Sequence, residues 1–220
     1  MASKNLLASF QSILNVRYNT MRSSQYFSFG LFGAMLLLAL CVIIRPDSLA
    51  VNYGLSYFGI FLSTIVPYAA AFMLYAFCLW KASEMSIEDS RQNTIIAWVM
   101  RIMAIQVIGL LLTPFNHLYN IHVFFGAGLF SLQLVLSISF IIWITNNWLN
   151  VLLVVIEFLS GLASLYYLPQ AHGLLLQTQF VFQLAFGFLL MRTLTKLEVL
   201  DVTQPLHQLH RVHLPCWYKN

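Results

Sequence analysis

The sequence predicts an all-α membrane protein: a polytopic bundle of six transmembrane helices with both termini cytoplasmic. Three observations lead there. Of the 220 residues, 60% are hydrophobic and only 8% charged, with a mean hydropathy of +0.79, whereas a soluble domain carries about 25% charged residues. A small domain exposes most of its charge quota to solvent, so a water-facing surface cannot absorb that shortfall and a bilayer can. Second, six apolar runs each approach the roughly 20 residues that a spanning helix needs. Third, Lys and Arg gather at alternate breaks between those runs.

The six runs are Phe27 to Ile44, Tyr57 to Trp80, Ile95 to Phe115, Ile121 to Ile144, Trp148 to Leu168 and Gly173 to Leu194. Arg45-Pro46-Asp47-Ser48, Ser83 to Asn93, Asn116-His117, Asn146-Asn147 and Pro169-Gln170 separate them. These breaks are short, so sequential helices must be antiparallel neighbours. The runs are too long and too continuously apolar for barrel strands. The first starts late and has no small-residue cleavage site after it, which argues against a cleavable signal.

Six spans put both termini and the second and fourth breaks on one side. That side collects Lys4, Arg17, Arg22, Lys81, Arg91, Arg192, Lys196, Arg211 and Lys219, with Arg101 entering the membrane from it. The other side holds Arg45 alone. Cytoplasmic loops collect positive charge, so both termini are expected inside. The net charge of +4 then measures topology and attraction to anionic headgroups, and membrane lipids rather than nucleic acid are the expected partners. A protein partner or homo-oligomer stays open.

The expected organisation is an N-terminal segment (1–24), a six-helix domain (25–196) and a cytoplasmic tail (197–220). In the first segment Leu6, Phe10, Ile13, Leu14 and Arg17 share one helical face, which suits an interfacial amphipathic helix; a disordered leader is the alternative at this length. The cysteines Cys41, Cys78 and Cys216 are scattered singly. Cys41 and Cys78 sit in apolar runs and read as small buried hydrophobes.

Helices in lipid associate through small residues and interhelical hydrogen bonds. Gly30 and Ala34 offer such a seam on the first helix. Thr64, Tyr68, Ala71 and Tyr75 share a face of the second; Gly126, Gln133 and Ser137 mark the fourth, and Gln179, Gln183 and Gly187 the sixth. The fifth carries the most polar stripe: Asn150, Glu157, Ser160 and Ser164. These stripes are either packing seams or the walls of a common polar cavity.

Arg101 and Glu157 are the charged residues well inside apolar runs. At 1.5 Å per residue they lie about 9 Å and about 13 Å from the cytoplasmic starts of their helices. A lone charge at a helix centre costs about 2.5–3.5 kcal/mol on insertion scales. Arg101 can snorkel to the headgroups unaided, but the shorter Glu157 cannot easily do so. Glu157 is therefore expected to pair with Arg101, or to be neutral and hydrogen-bonded to Gln133 or Gln183, or to sit at a rim or face lipid. These four residues are the candidate interior binding site.

On the outer rim, Asp47, His117 and His122 are further candidate binding residues, with His172 on the same rim. Three histidines and an aspartate could in principle ligate zinc. His117 and His122 are five apart and His172 is on another loop, so interfacial hydrogen bonding is expected and no metal or cofactor is assigned. The tail repeats His207, His210, His213 and Cys216 at every third position, which drifts about 60° per step on an α-helix; a mobile polar tail is expected.

Asn52-Tyr53-Gly54-Leu55-Ser56-Tyr57-Phe58-Gly59, and Gly109 through Thr113-Pro114-Phe115 to His122, Phe124 and Phe125, carry a resemblance. They are similar to the Ser-x-x-Gly-bearing outer loop, and to the Phe-Pro followed by a helix-starting His, of six-helix membrane proteins of the DRAM/Sfk type and their bacterial relatives. The likeness covers about 75 residues. It departs at Thr113-Pro114-Phe115, where the order is inverted, and in the missing acidic residue between Pro114 and His122. It implies a role near lipids rather than a particular reaction, and a bacterial cytoplasmic membrane.

The leading functional expectation is a membrane protein with a polar site inside the bundle that binds or moves lipid or a small molecule. A membrane-embedded enzyme, metal-dependent or lipid-modifying, is the alternative. His-Glu-x-x-His, Gly-x-Ser-x-Gly and paired intramembrane aspartates are all missing. A haem-carrying electron carrier would need facing histidines within spans, and His122 alone lies near one.

Overall fold

The computed structural model describes residues 21–50, 54–85, 91–144, 147–170 and 173–212. The expected amphipathic segment, His172, His213 and Cys216 lie outside them. Among the described residues all regular structure is helical: α1 (Ser23–Ile44), 3-10 turns at Pro46–Leu49 and Leu55–Gly59, α2 (Leu62–Met85), α3 (Arg91–Leu112), α4 (Tyr119–Trp143), α5 (Trp148–Tyr167) and α6 (Leu175–Val212). Each of the six α-helices is long and apolar enough to cross a membrane. The chain is an integral, multi-pass membrane protein.

Helix boundaries move from the sequence expectation where turn chemistry intervenes. The second helix starts at Leu62 rather than Tyr57 because Leu55–Gly59 forms its own 3-10 turn. Gly54 launches that turn with a φ of 64°, a region that costs a residue with a Cβ. The third helix stops at Leu112 because Pro114 disfavours helical backbone at Thr113. The sixth does not end near Leu194 but continues to Val212, through residues expected to form the tail.

Consecutive helices pack as neighbours and α6 returns to α1, closing a ring. The α1–α2 seam is the most extensive. Gly30 is buried against Cys78 of α2 with no room for a Cβ, the close backbone approach that small residues permit in lipid. Cys41 and Cys78 are free, buried thiols. The apolar core runs from Phe27, Leu79 and Phe140 at the end carrying the termini, through Met103 and Phe186, to Cys41 and Phe58 at the other. The α4–α5 seam is the sparsest between sequential helices.

Hydrogen bonds fasten both ends. At the end carrying the helical termini, Ser23 Oγ donates to the Ala82 carbonyl at 2.7 Å. Lys196 Nζ there donates to the Ile144 carbonyl, just past the C-terminus of α4, at 2.6 Å, where a cation also suits the helix dipole. At the opposite end Arg45 forms a bidentate pair with Asp47, at 2.9 and 2.6 Å. Tyr57 donates its hydroxyl to the same carboxylate at 2.7 Å, and the guanidinium lies 3.8 Å from the Phe61 ring centroid.

Candidate functional site

A polar layer crosses the interior near mid-depth. Gln133 of α4 and Gln183 of α6 donate to each other, Nε2 to Oε1, at 2.9 and 3.0 Å. Gln133 is 0% exposed, and this closed amide pair satisfies one donor and the acceptor on each side chain. The Tyr75 hydroxyl of α2 lies beside Gln133, and the Ser137 hydroxyl of α4 beside Glu157 of α5, close enough for electrostatic influence. Neither contact has the geometry of a hydrogen bond. The Tyr75 and Ser137 hydroxyls and both Glu157 oxygens are buried without hydrogen-bond partners, although Glu157 is 0% exposed.

This overturns both pairings expected for Glu157. The glutamines satisfy each other instead of the carboxyl. Arg101 turns to α2 and to its own helix: its Nε donates to Ser83 Oγ at 3.2 Å, and its guanidinium lies 5.6 Å from the Trp80 ring and 5.0 Å from Trp98. The counted depths of Arg101 and Glu157 differ by only a few Å. Depth fixes position along the bundle axis but not around it, and α3 packs between α2 and α4 rather than beside α5.

Above that layer, in the half of the bundle away from the termini, is a cavity of about 540 Å³. That volume falls in the range of about 300–1,000 Å³ typical of small-molecule sites. Tyr75 and Gln183 form its floor, and Phe72, Leu110, Phe130 and Phe182 are among its walls. Among the described residues no Asp, Glu, Lys or Arg lines it. Ala127 and Ser131 of α4 and Phe158, Leu162 and Leu165 of α5 line it and are exposed on the protein surface. The cavity therefore opens sideways where the α4–α5 seam is loosest, towards lipid.

At the end of the cavity away from the termini, polar groups from several elements meet. His122, 6% exposed, stands in the first turn of α4. Its Nδ1 is 2.6 Å from the Thr113 carbonyl oxygen, and its Nε2 is 2.5 Å from Ser56 Oγ. A carbonyl only accepts, so Nδ1 carries the hydrogen; in the neutral ring Nε2 is then the acceptor and the Ser56 hydroxyl donates to it. Nearby, Gln179 Oε1 accepts the Leu55 N–H at 2.8 Å, which leaves the amide NH2 of this cavity-lining side chain as a donor. At the same end of the bundle, Ser164 Oγ of α5 donates to Thr178 Oγ1 of α6 at 2.9 Å.

The remaining rim candidates do not join this group. Asp47 belongs to the Arg45–Tyr57 clasp. Hydrogen bonds from Arg45, then from Tyr57, hold its carboxyl below the usual aspartate range, while burial followed by the Asp47 contact pushes the Tyr57 phenol up. His117 is exposed in the turn before α4. Among the described residues no three of His, Cys, Asp and Glu come together as a metal site. Both ring nitrogens of His122 face protein partners.

Reading by residue pattern passed over Ser56 and Thr113 as partners of His122. Ser56 stands in the Ser-x-x-Gly of the loop and follows a turn-forming Gly54, but neither signal points to His122, which lies 66 residues on. No family model matches the chain, and neither a curated protein nor a solved structure shows significant similarity to it.

Proposed function

We propose that this protein binds an uncharged, chain-bearing amphiphile drawn laterally from the bilayer, with the chain in the cavity inside the helix ring and the polar head at the Ser56–His122 rim. The carrying observation is the cavity itself: apolar walls, a neutral polar floor, no charged residue among the described lining, and an opening towards lipid. An anionic headgroup would find no Lys or Arg among the described lining residues. A neutral head finds hydroxyl, amide and imidazole groups, while its chain gains about 25 cal/mol for each Å² removed from water. From His122 to Gln133 is eleven residues of α4, about 16 Å at 1.5 Å per residue, deep enough for a medium-length acyl chain.

The termini belong in the cytoplasm in this reading, supported by the basic residues at their end and the single Arg45 opposite. The cavity mouth then lies in the outer leaflet. The likeness to DRAM/Sfk-type proteins, and with it a bacterial cytoplasmic membrane, is part of the same proposal: Ser56, Thr113 and His122, which lie in the segments that carry it, meet at the rim.

Native mass spectrometry of protein released from detergent, together with photocrosslinking by a diazirine-bearing acylglycerol, tests the reading. Adducts should map to α4 and α5 residues facing the cavity. Gly126→Phe should abolish them without lowering the melting temperature, because a Cβ at Gly126 meets only Leu110, at 3.6 Å. Equal crosslinking of wild type and Gly126→Phe would overturn it.

A further inference from the structure

We propose that Ser56 and His122 are a nucleophile–base pair that cleaves or transfers the acyl ester of the amphiphile bound in the cavity. The inference rests on the binding reading above for its substrate but on separate geometry for its chemistry. Serine is a weak nucleophile until an adjacent base accepts its proton, and that base works best when a third group fixes its tautomer. Both relationships are present. The Thr113 carbonyl holds Nδ1–H, which directs the Nε2 lone pair at Ser56 Oγ, 2.5 Å away. The carbonyl takes the place that a carboxylate occupies in the familiar triad. Both side chains line the cavity.

The local fold holds the serine in place. Gly54, at φ 64°, turns the chain into the 3-10 segment whose second residue is Ser56. A Cβ at Gly54 would come within 2.5 Å of Gln179 Oε1, so the same glycine admits the Gln179 amide that anchors Leu55. Gln179, whose Oε1 accepts from the residue before Ser56, also lines the cavity, and its NH2 can serve a developing oxyanion there.

Position favours an ester. Ser56 lies in the connection between α1 and α2, at the end of two membrane-spanning helices, and the apolar cavity descends from it. Ser56 Oγ attacks the ester carbonyl carbon while His122 Nε2 takes the hydroxyl proton. The carbonyl–alkoxy bond breaks, and His122 returns the proton to the departing alcohol, leaving an acyl-Ser56. Water, or the hydroxyl of a second lipid, then attacks that acyl group. Its proton passes to His122 and back to Ser56 Oγ, releasing a fatty acid or a new ester.

The full chain in lipid nanodiscs is treated with an alkyl fluorophosphonate, which captures activated serines, and the adduct is mapped by mass spectrometry. Wild type should be labelled at Ser56. Ser56→Ala should lose the label, Ser139→Ala outside the cavity should keep it, and His122→Gln should slow labelling about 100-fold or more. If His122→Gln fails to fold, the wild-type map alone is decisive. An unlabelled Ser56 in wild-type protein that still crosslinks the acylglycerol would overturn the dyad and spare the binding reading. Labelled Ser56 without crosslinking would support the dyad and overturn the acylglycerol as its substrate.

Discussion

Glu198, near the membrane end of α6, caps the first turn of α1: its carboxylate accepts the Ser24 backbone N–H and the Ser24 hydroxyl, both at 2.7 Å. The first N–H groups of a helix have no partner within it, and an anion there also meets the positive end of the dipole. One side chain thus satisfies α1 and closes the ring between the first and last helices. Glu198→Ala should lower stability by about 1 kcal/mol, and Glu198→Gln, which retains one acceptor oxygen, by less. Thermal unfolding in detergent with tryptophan fluorescence measures this; equal melting temperatures for all three proteins would show that the cap is energetically idle.

The Gln133–Gln183 pair predicts an asymmetric mutational pattern. Gln133→Leu strands the Gln183 amide in the interior and should cost about 1–3 kcal/mol. Gln133→Leu combined with Gln183→Leu removes both polar groups and should cost less than either single change. A double loss equal to the sum of the singles would mean that the two amides do not depend on each other.

Glu157 and Arg101 are expected to behave independently. Each has its own surroundings, so losses from Arg101→Gln and Glu157→Gln should add to within about 0.5 kcal/mol. Because the buried Glu157 oxygens make no hydrogen bond, Glu157→Leu should leave the melting temperature unchanged or raise it. A large destabilisation by Glu157→Leu would point to a partner for this carboxyl.

The Arg45–Asp47–Tyr57 clasp gives a pH dependence with a definite sign. The folded Asp47 carboxyl titrates below its unfolded value of about 3.9. Its stabilisation is therefore complete above that unfolded value and is lost as pH falls through the lower, folded one. Between pH 7 and pH 5 the stability gap between wild type and Asp47→Asn should stay constant, and it should narrow below about pH 4. A gap that widens on acidification would contradict the assignment.

Gly30 tests the tightest seam. Gly30→Leu must push α1 off Cys78, and overpacking of this kind typically costs about 1–3 kcal/mol. Cys78→Gly in the same chain should recover part of the loss, read as recovery of monodisperse protein on size exclusion. No recovery would place the damage elsewhere than at this contact.

Six spans, their order and their antiparallel adjacency were decided by the sequence alone. Bilayer thickness sets helix length, and Arg45-Pro46, Pro114 and Asn147 sit where the chain must turn. The burial of Gln133, Glu157, Ser160 and Gln183 was also foreshadowed, since polar residues in apolar helices seek the interior. The tertiary structure alone decided which of them meet. Depth grows linearly along a helix and can be counted, as it was for Arg101 and Glu157, but the direction a side chain faces and the order of helices around the ring are set by packing of whole surfaces. That packing turned Arg101 to Trp80 and Trp98, paired the two glutamines across α4 and α6, and brought Ser56 of one connection within 2.5 Å of His122 on a helix two spans later.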